Sequence, residues 1–469
     1  MERVSEADFV VRGANQALAL RVGDILGKAI YVLLLGLIVV TAIPYGTAEP
    51  WWKAFFICAV FVICIVALLD TLSNGFRGAI PLGLLIPLLA IVAFALMQSF
   101  SLGSQTLTSI PYSGRRAISA DPPVTQFFAL QVLALTLAAA LLYRYVSNRR
   151  RMSVLIHVII SVVVISAIFG LLRQTSPHEV GALTPLLQPG QGYGQFTNAN
   201  HFAYLMEMGL GITLGMIVGG GVTRERALIY IAALMPMWVA LVLSNSRGGL
   251  LAMLVQLTAG AILFSYSFSP SNVSHPRFQT LSRTKLNLVR IVLLLALLAG
   301  VVWGAVWIGG DRLADKFAEG SGTSDRAAIA RNDIWKATWL MFTAHPIAGV
   351  GMGGYWVAVH EHHQASGVYA PQEAHNDYLE ILASGGTIGA ALGIWFCVIL
   401  VKRIGANLRS PDRFRRATCF GATLGIVGVA CHSLFDFGLH KMINALIFIA
   451  LVVIATSVGN SGIPERNET

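Results

Sequence analysis

The chain has 469 residues, of which 55% are apolar or aromatic and only 12% are charged, about half the charged share of a soluble domain. A soluble globule needs charge to cover its surface, so that class is excluded. Intrinsic disorder, collagen and disulfide scaffolds go with it, which leaves a polytopic membrane protein. The formal net charge of +10 is what lysines and arginines gathered in inner loops produce, and no aromatic-interleaved basic run points to nucleic acid.

Residues 1–24 carry seven charged side chains, too many for a cleavable signal peptide, so they read as a cytoplasmic segment and the first apolar run stays as an anchor. Twelve apolar runs of near-spanning length follow, at 25–43, 54–70, 80–97, 125–145, 154–172, 201–218, 227–243, 249–267, 290–309, 385–401, 417–434 and 442–459. Backbone polar groups in lipid must be satisfied within the segment, which makes these runs helices. With the N-terminus inside, 22 of the 33 lysines and arginines fall on the inner side and six in the short outer loops. The five cysteines lie within apolar runs and read as small hydrophobes.

The chain thus divides into 1–24, nine helices over 25–309, a long outer loop at 310–384, three helices over 385–459 and an inner tail at 460–469. Within the long loop, Ser324 can cap a helix running to Thr343, and His345-Pro346 stops it. Trp335 and Trp339 on that helix suit a membrane interface. The spans are poor in ionisable groups: Glu207 sits inside one and Asp70 at the end of another. A coupled transporter usually places such groups at the midplane.

Polar residues gather instead in short outer segments. Ser244-Asn245-Ser246-Arg247-Gly248-Gly249 joins two spans with almost no loop. Its arginine is either an interfacial side chain reaching a headgroup or a bidentate ligand for diphosphate. In His375-Asn376-Asp377-Tyr378, the histidine can act as base or phosphate donor, against the plainer reading of Asn376 or Asp377 as a helix cap. Gly349-Val350-Gly351-Met352-Gly353-Gly354 follows a helix rather than a strand, so a dinucleotide fold is excluded. A turn remains, one that can present backbone N–H groups to phosphate. His360-Glu361-His362-His363 lacks the zincin spacing and reads as a solvated polar stretch, so no metal ligand set is assigned.

In order and spacing these pieces resemble the O-antigen ligase/polymerase superfamily of bacterial membrane glycosyltransferases. Gly194-Gln195-Phe196-Thr197-Asn198-Ala199-Asn200-His201-Phe202-Ala203 is similar to the family's entry to a spanning helix. Ser244 to Gly249 is similar to its S-x-S-R-G-G, Arg331 through Trp335 to the head of its long loop, and His375-Asn376-Asp377-Tyr378-Leu379 with Gly385, Gly386 and Gly389 to that loop's close. The sequence departs from the pattern at Gln191-Gly192-Tyr193, where many members carry an arginine, with Arg173 the candidate replacement, and at Ala383-Ser384, where an acid is usual.

The resemblance implies an all-α, GT-C-like fold of about twelve transmembrane helices with amphipathic helices on one long periplasmic loop, in the bacterial inner membrane. It implies metal-independent, inverting transfer of a glycan from a polyprenyl (undecaprenyl) diphosphate donor to a glycan or glycolipid acceptor such as lipid A–core, among membrane lipid and without a cofactor. His375, Arg247 and Arg331 match the positions that act in the family. Arg247, Arg331 and Arg173 are then the donor diphosphate ligands, with Asn198, Asn200, His201, Ser246, Asn376 and Tyr378 in support. A repeat-unit polymerase is the alternative in the same class. A transporter or flippase is the alternative in another, and a non-catalytic membrane scaffold is a third reading.

Overall fold

A computed structural model describes residues 6–43, 49–76, 80–100, 117–146, 148–175, 192–267, 323–363 and 371–457. The predicted span 290–309 lies outside these residues. Eight helices come first: α1 (Glu6–Ala42), α2 (Pro50–Asn74), α3 (Leu82–Ser99), α4 (Pro122–Tyr145), α5 (Arg149–Thr175), α6 (Ala199–Val218), α7 (Arg224–Leu243) and α8 (Arg247–Ser267). After them come α9 (Thr323–Ala344), the single turn α10 (Tyr355–Ala358), α11 (Asp377–Leu408), α12 (Arg413–His432) and α13 (Met442–Thr456). Among the described residues nine helices, α1 to α8 and α11, are long and apolar enough to cross a membrane. The fold is an all-α polytopic membrane protein.

Each of the other eleven predicted runs overlaps one of these helices. The two that miss the length or apolarity of a free span, α12 and α13, are also among the most enclosed. α13 has 15 residues, nearly all buried. α12 is rich in glycine, threonine and cysteine and is packed against α6 and α8. Lipid gives helices no hydrophobic reason to associate, so close approach of small residues does the work. A Cβ on Gly215 of α6 would lie 2.0 Å from the Gly421 Cα of α12, and one on Gly211 2.4 Å from the Gly425 nitrogen. At the C-terminal end of α2, buried Asp70 accepts from Arg144 (2.9 Å) and from the Tyr145 hydroxyl (2.7 Å), the pairing a buried acid requires.

α11 begins at Asp377, eight residues ahead of the predicted apolar run 385–401. It is broken at Gly386, where φ is +60°. The segment before α10 docks into that break. Val350 N–H donates to Ala383 O, Gly351 N–H to Ser384 O, Thr387 N–H to Pro346 O and Ile388 N–H to Ile347 O, at 2.8–3.2 Å. A helix broken at membrane depth must have its freed groups met by protein, and this segment meets them. Gln98 of α3 fastens the junction, donating to Ala348 O and Ser384 O and accepting from Met352 N–H.

α9 runs within a residue or two of its predicted bounds. Ala337, Thr338 and Met341 are its buried face, with the Thr338 hydroxyl 2.7 Å from that of Tyr355, while Trp339 and Leu340 are exposed on the other side.

Candidate functional site

The polar segments meet at one end of the bundle, where α6, α8 and α11 begin and α12 ends. Asn200, His201 and His375 converge on Asp436, in the short connection between α12 and α13. One carboxylate oxygen accepts from Phe437 N–H at 2.9 Å and faces His375 Nδ1 at 3.3 Å and His201 Nε2 at 3.8 Å. The other oxygen accepts from the Asn200 side-chain amide. Asn200 in turn accepts from Ser246 Oγ at 2.8 Å, and that oxygen accepts from Gly249 N–H at 3.1 Å. A single chain of hydrogen bonds thus ties the starts of α6 and α8 to the histidine before α11.

Burial by itself would raise the Asp436 carboxyl. The hydrogen bond from His375 and the proximity of His201, with the Asn200 amide, outweigh it and hold Asp436 below the usual carboxylate range. The Phe437 ring stands edge-on to His201 and His375, both at 4.8 Å, and to His440 at 5.5 Å. His440 Nε2 lies 3.6 Å from Asp377 and 3.7 Å from Glu380. Burial and the charges of Lys53 and Lys441 push its imidazole down to about 3, so it is neutral.

His375 has φ +49°, in the left-handed region that a residue other than glycine uncommonly occupies. The conformation is enforced on both sides. Ala374 N–H donates to Glu380 at 2.8 Å and Ala374 O accepts from Trp335 Nε1 at 3.0 Å, while Asn376 caps α11 by accepting from Tyr378 and Leu379 N–H at 3.1 Å. The capping role considered for this tetrapeptide therefore belongs to Asn376, and it leaves His375 aimed at Asp436. Arg331 lies on α9 one turn before Trp335, hence on the side of the helix that reaches the His375 loop.

Arg247 is the exposed first residue of α8. The glycines behind it serve packing: a Cβ on Gly248 would lie 2.5 Å from His432 Nε2 and one on Gly249 2.7 Å from Ala203 Cβ. Arg173 is nearly buried and donates to Gly194 O at 2.8 Å. It holds the tight turn in which Tyr193 and Phe196 exchange N–H···O bonds at 3.0 Å. Asn198 caps α6 by accepting from Asn200 N–H at 2.8 Å. The Tyr378 hydroxyl donates to Ala430 O at 2.7 Å, pinning α11 to α12.

The reading of Gly349 to Gly354 as a phosphate cradle is corrected. All six N–H groups are spent internally, on His345 O, Ala383 O, Ser384 O, Gln98 Oε1, Thr125 Oγ1 and Gly351 O in turn. The segment is the turn that fills the α11 break. His360 to His363 lie on and after a single 3-10 turn, Val359–Glu361.

Two groups escaped the sequence reading. Asp436, His440 and Lys441 fall within six residues between two apolar runs, a density of ionisable groups that is the one signal of them in the sequence. Glu207 had to have a buried partner. It is His432, wholly buried like Glu207 and 2.6 Å away, with Tyr204 stacked on it at 4.2 Å.

The molecule is thus a polytopic helical membrane protein with a polar cluster of histidines, amide and hydroxyl groups around one carboxylate at the end of its bundle. Residues 232–394 match the family described as O-Antigen ligase, a match over about a third of the chain that supports an O-antigen ligase-like superfamily. The match contains Arg247, Arg331 and His375, while Asn200, His201 and Asp436 lie outside it. No curated protein matches the chain.

Proposed function

We propose that the protein transfers a glycan from a polyprenyl diphosphate carrier to an acceptor hydroxyl at the periplasmic face of the inner membrane, with lipid A–core as the acceptor. The observation that carries this reading is His375 Nδ1 against Asp436. A carboxylate can only accept, so the pairing puts the imidazole proton on Nδ1 and leaves Nε2 as a base. Nε2 takes the acceptor hydroxyl proton as that oxygen attacks the anomeric carbon. The bond from that carbon to phosphate oxygen breaks, and the polyprenyl diphosphate leaves with the electron pair. One displacement inverts the anomeric centre. Asp436 stabilises the imidazolium, and Arg247 and Arg331 meet the growing charge on the diphosphate. Arg173 supports them through the Gly192–Phe196 turn. Two guanidinium groups supply the charge that a metal would otherwise give.

The test is transfer by purified protein. His375→Ala is expected to lose roughly 10²–10⁴-fold in rate while remaining membrane-inserted. Excess chelator, or alanine at His360, His362 or His363, is expected to have little effect. Activity abolished by chelator and restored by a divalent ion would sink the metal-free reading. Complementation separates ligase from polymerase: loss of linkage to lipid A–core marks the first, loss of chain length the second.

A further inference from the structure

The transfer chemistry leaves one buried ionisable pair unused. Glu207, about two turns into α6, and His432, the last residue of α12, are wholly buried and meet through Oε1 and Nδ1 at 2.6 Å. Among the described residues this is the one hydrogen bond either side chain makes, since Glu207 Oε2 and His432 Nε2 have none. Taking such groups out of water is costly, and apolar side chains of similar volume often match or exceed a buried pair in stability. Stability therefore gives no reason for the pair, whereas one directional bond fixes where the His432 ring stands.

What the ring holds is the turn that carries Asp436. The His432 carbonyl accepts from Phe435 N–H at 2.8 Å and from Asp436 N–H at 3.1 Å. The next carbonyl, that of Ser433, accepts at 2.9 Å from Asp377 N–H, two residues after His375. Adjacent carbonyls thus hold both sides of the contact between His375 and Asp436. Tyr204 stacks on the His432 ring at 4.2 Å, and its hydroxyl donates to Ser433 Oγ at 3.3 Å. The Tyr204 ring also supports the turn past Asp436, where a Cβ on Gly438 would come within 2.3 Å of it. Gln256 of α8 fastens the same level by donating to Glu207 O and Leu424 O, both at 3.0 Å. The His375–Asp436 contact is 3.3 Å long, near the limit of a hydrogen bond, so even a small outward shift of the α12 turn breaks it.

We propose that the Glu207–His432 pair is a positioning device for the transfer site: by fixing the His432 ring it holds the turn at the end of α12 where Asp436 reaches His375. Its bearing on glycan transfer rests on His375 acting as the base. The bond rather than the charge does the work, so side chains that keep the bond keep the function.

The experiment uses the full chain in proteoliposomes. The double variant Glu207→Met/His432→Phe makes the pair apolar and keeps a ring against Tyr204. Glu207→Gln keeps an acceptor for His432 Nδ1, and His432→Asn puts an amide nitrogen in the place of Nδ1. Initial rates of glycan transfer give kcat and KM, and thermal unfolding gives stability. Solid-state nitrogen-15 spectra show which ring nitrogen of His375 carries the proton, the His375 signal being the one lost in His375→Ala. The double variant should unfold no earlier than the wild type, lose roughly 10–10²-fold in kcat as a displaced catalytic group does, and leave KM unchanged. Its His375 proton should be divided between Nδ1 and Nε2, a change that a pair serving only to pack helices would not produce. Glu207→Gln and His432→Asn should keep near-normal rates and the proton on Nδ1. A divided His375 proton without effect on transfer, or in a protein that transfers no glycan, would leave the positioning role standing and remove His375 as the base. A well-folded double variant with the His375 proton still on Nδ1 would overturn the proposal. Should the double variant fail to insert, the two bond-keeping variants decide, and a divided His375 proton in either of them, folded, would overturn it.

Discussion

Replacing Asp436 by asparagine keeps the shape of the side chain and removes its charge. Of its three hydrogen bonds, one must change. The amide oxygen can still accept from Phe437 N–H, now 2.9 Å away, and from His375 Nδ1 at 3.3 Å. The new NH₂ then meets the Asn200 NH₂ donor, so Asn200 must turn over, which reverses its bond with Ser246 Oγ and leaves the serine hydroxyl without its acceptor. The imidazolium formed during transfer also loses its counter-ion. If Asp436 acts by orienting and stabilising His375, the loss should approach that of removing the base, roughly 10²–10⁴-fold, or about 3–5 kcal/mol in the barrier. The assay is initial rate of glycan transfer in proteoliposomes for Asp436→Asn, His375→Ala and the double variant. A residue acting through another is non-additive with it, so Asp436→Asn should cost little once His375 is gone. Stability gives a second check. The folded carboxyl is depressed, so its contribution is complete above the unfolded carboxylate range, near pH 4, and lost only as pH falls through the folded value. Asp436→Asn should therefore cost the same stability at about pH 6 as at about pH 8. Additive rate losses, or a well-folded Asp436→Asn with near-normal rate, would refute the reasoning.

Arg247→Lys is expected to lose most activity although charge is kept, because an ammonium cannot form the bidentate fork with phosphate oxygens; full activity at normal protein level would exclude diphosphate clamping by this residue. A periplasm-active reporter fused near Ser366 should be active and one near Arg150 silent, and the reverse would turn the site away from the donor. Gly386→Ala should lower the amount of folded protein in membranes sharply, since φ is +60° and the added Cβ would meet Ile347 O at 2.3 Å; normal expression and protease resistance would mean that the α11 break relaxes.

Hydropathy and charge bias determined the class of fold and the position of every predicted span among the described residues, because lipid allows one solution for a long apolar segment and prices its ends by charge. Motif order singled out Asn200, Ser246 and His375. It could not show that they join in one chain of hydrogen bonds through Asp436, because Asp436 lies 61 residues from His375 and 236 from Asn200 along the chain, and only the packing of α6 and α8 on α12 brings them together. The glycines of Gly349 to Gly354 read as a phosphate turn because a turn rich in N–H groups looks the same from sequence whether those groups face a ligand or a broken helix. Glu207 announced a buried partner but could not name it. Local propensity decides which residues become helix, and their ends are legible from caps and charges. Which side chains meet across the bundle depends on contacts between helices far apart in the chain, and these only the tertiary structure decides.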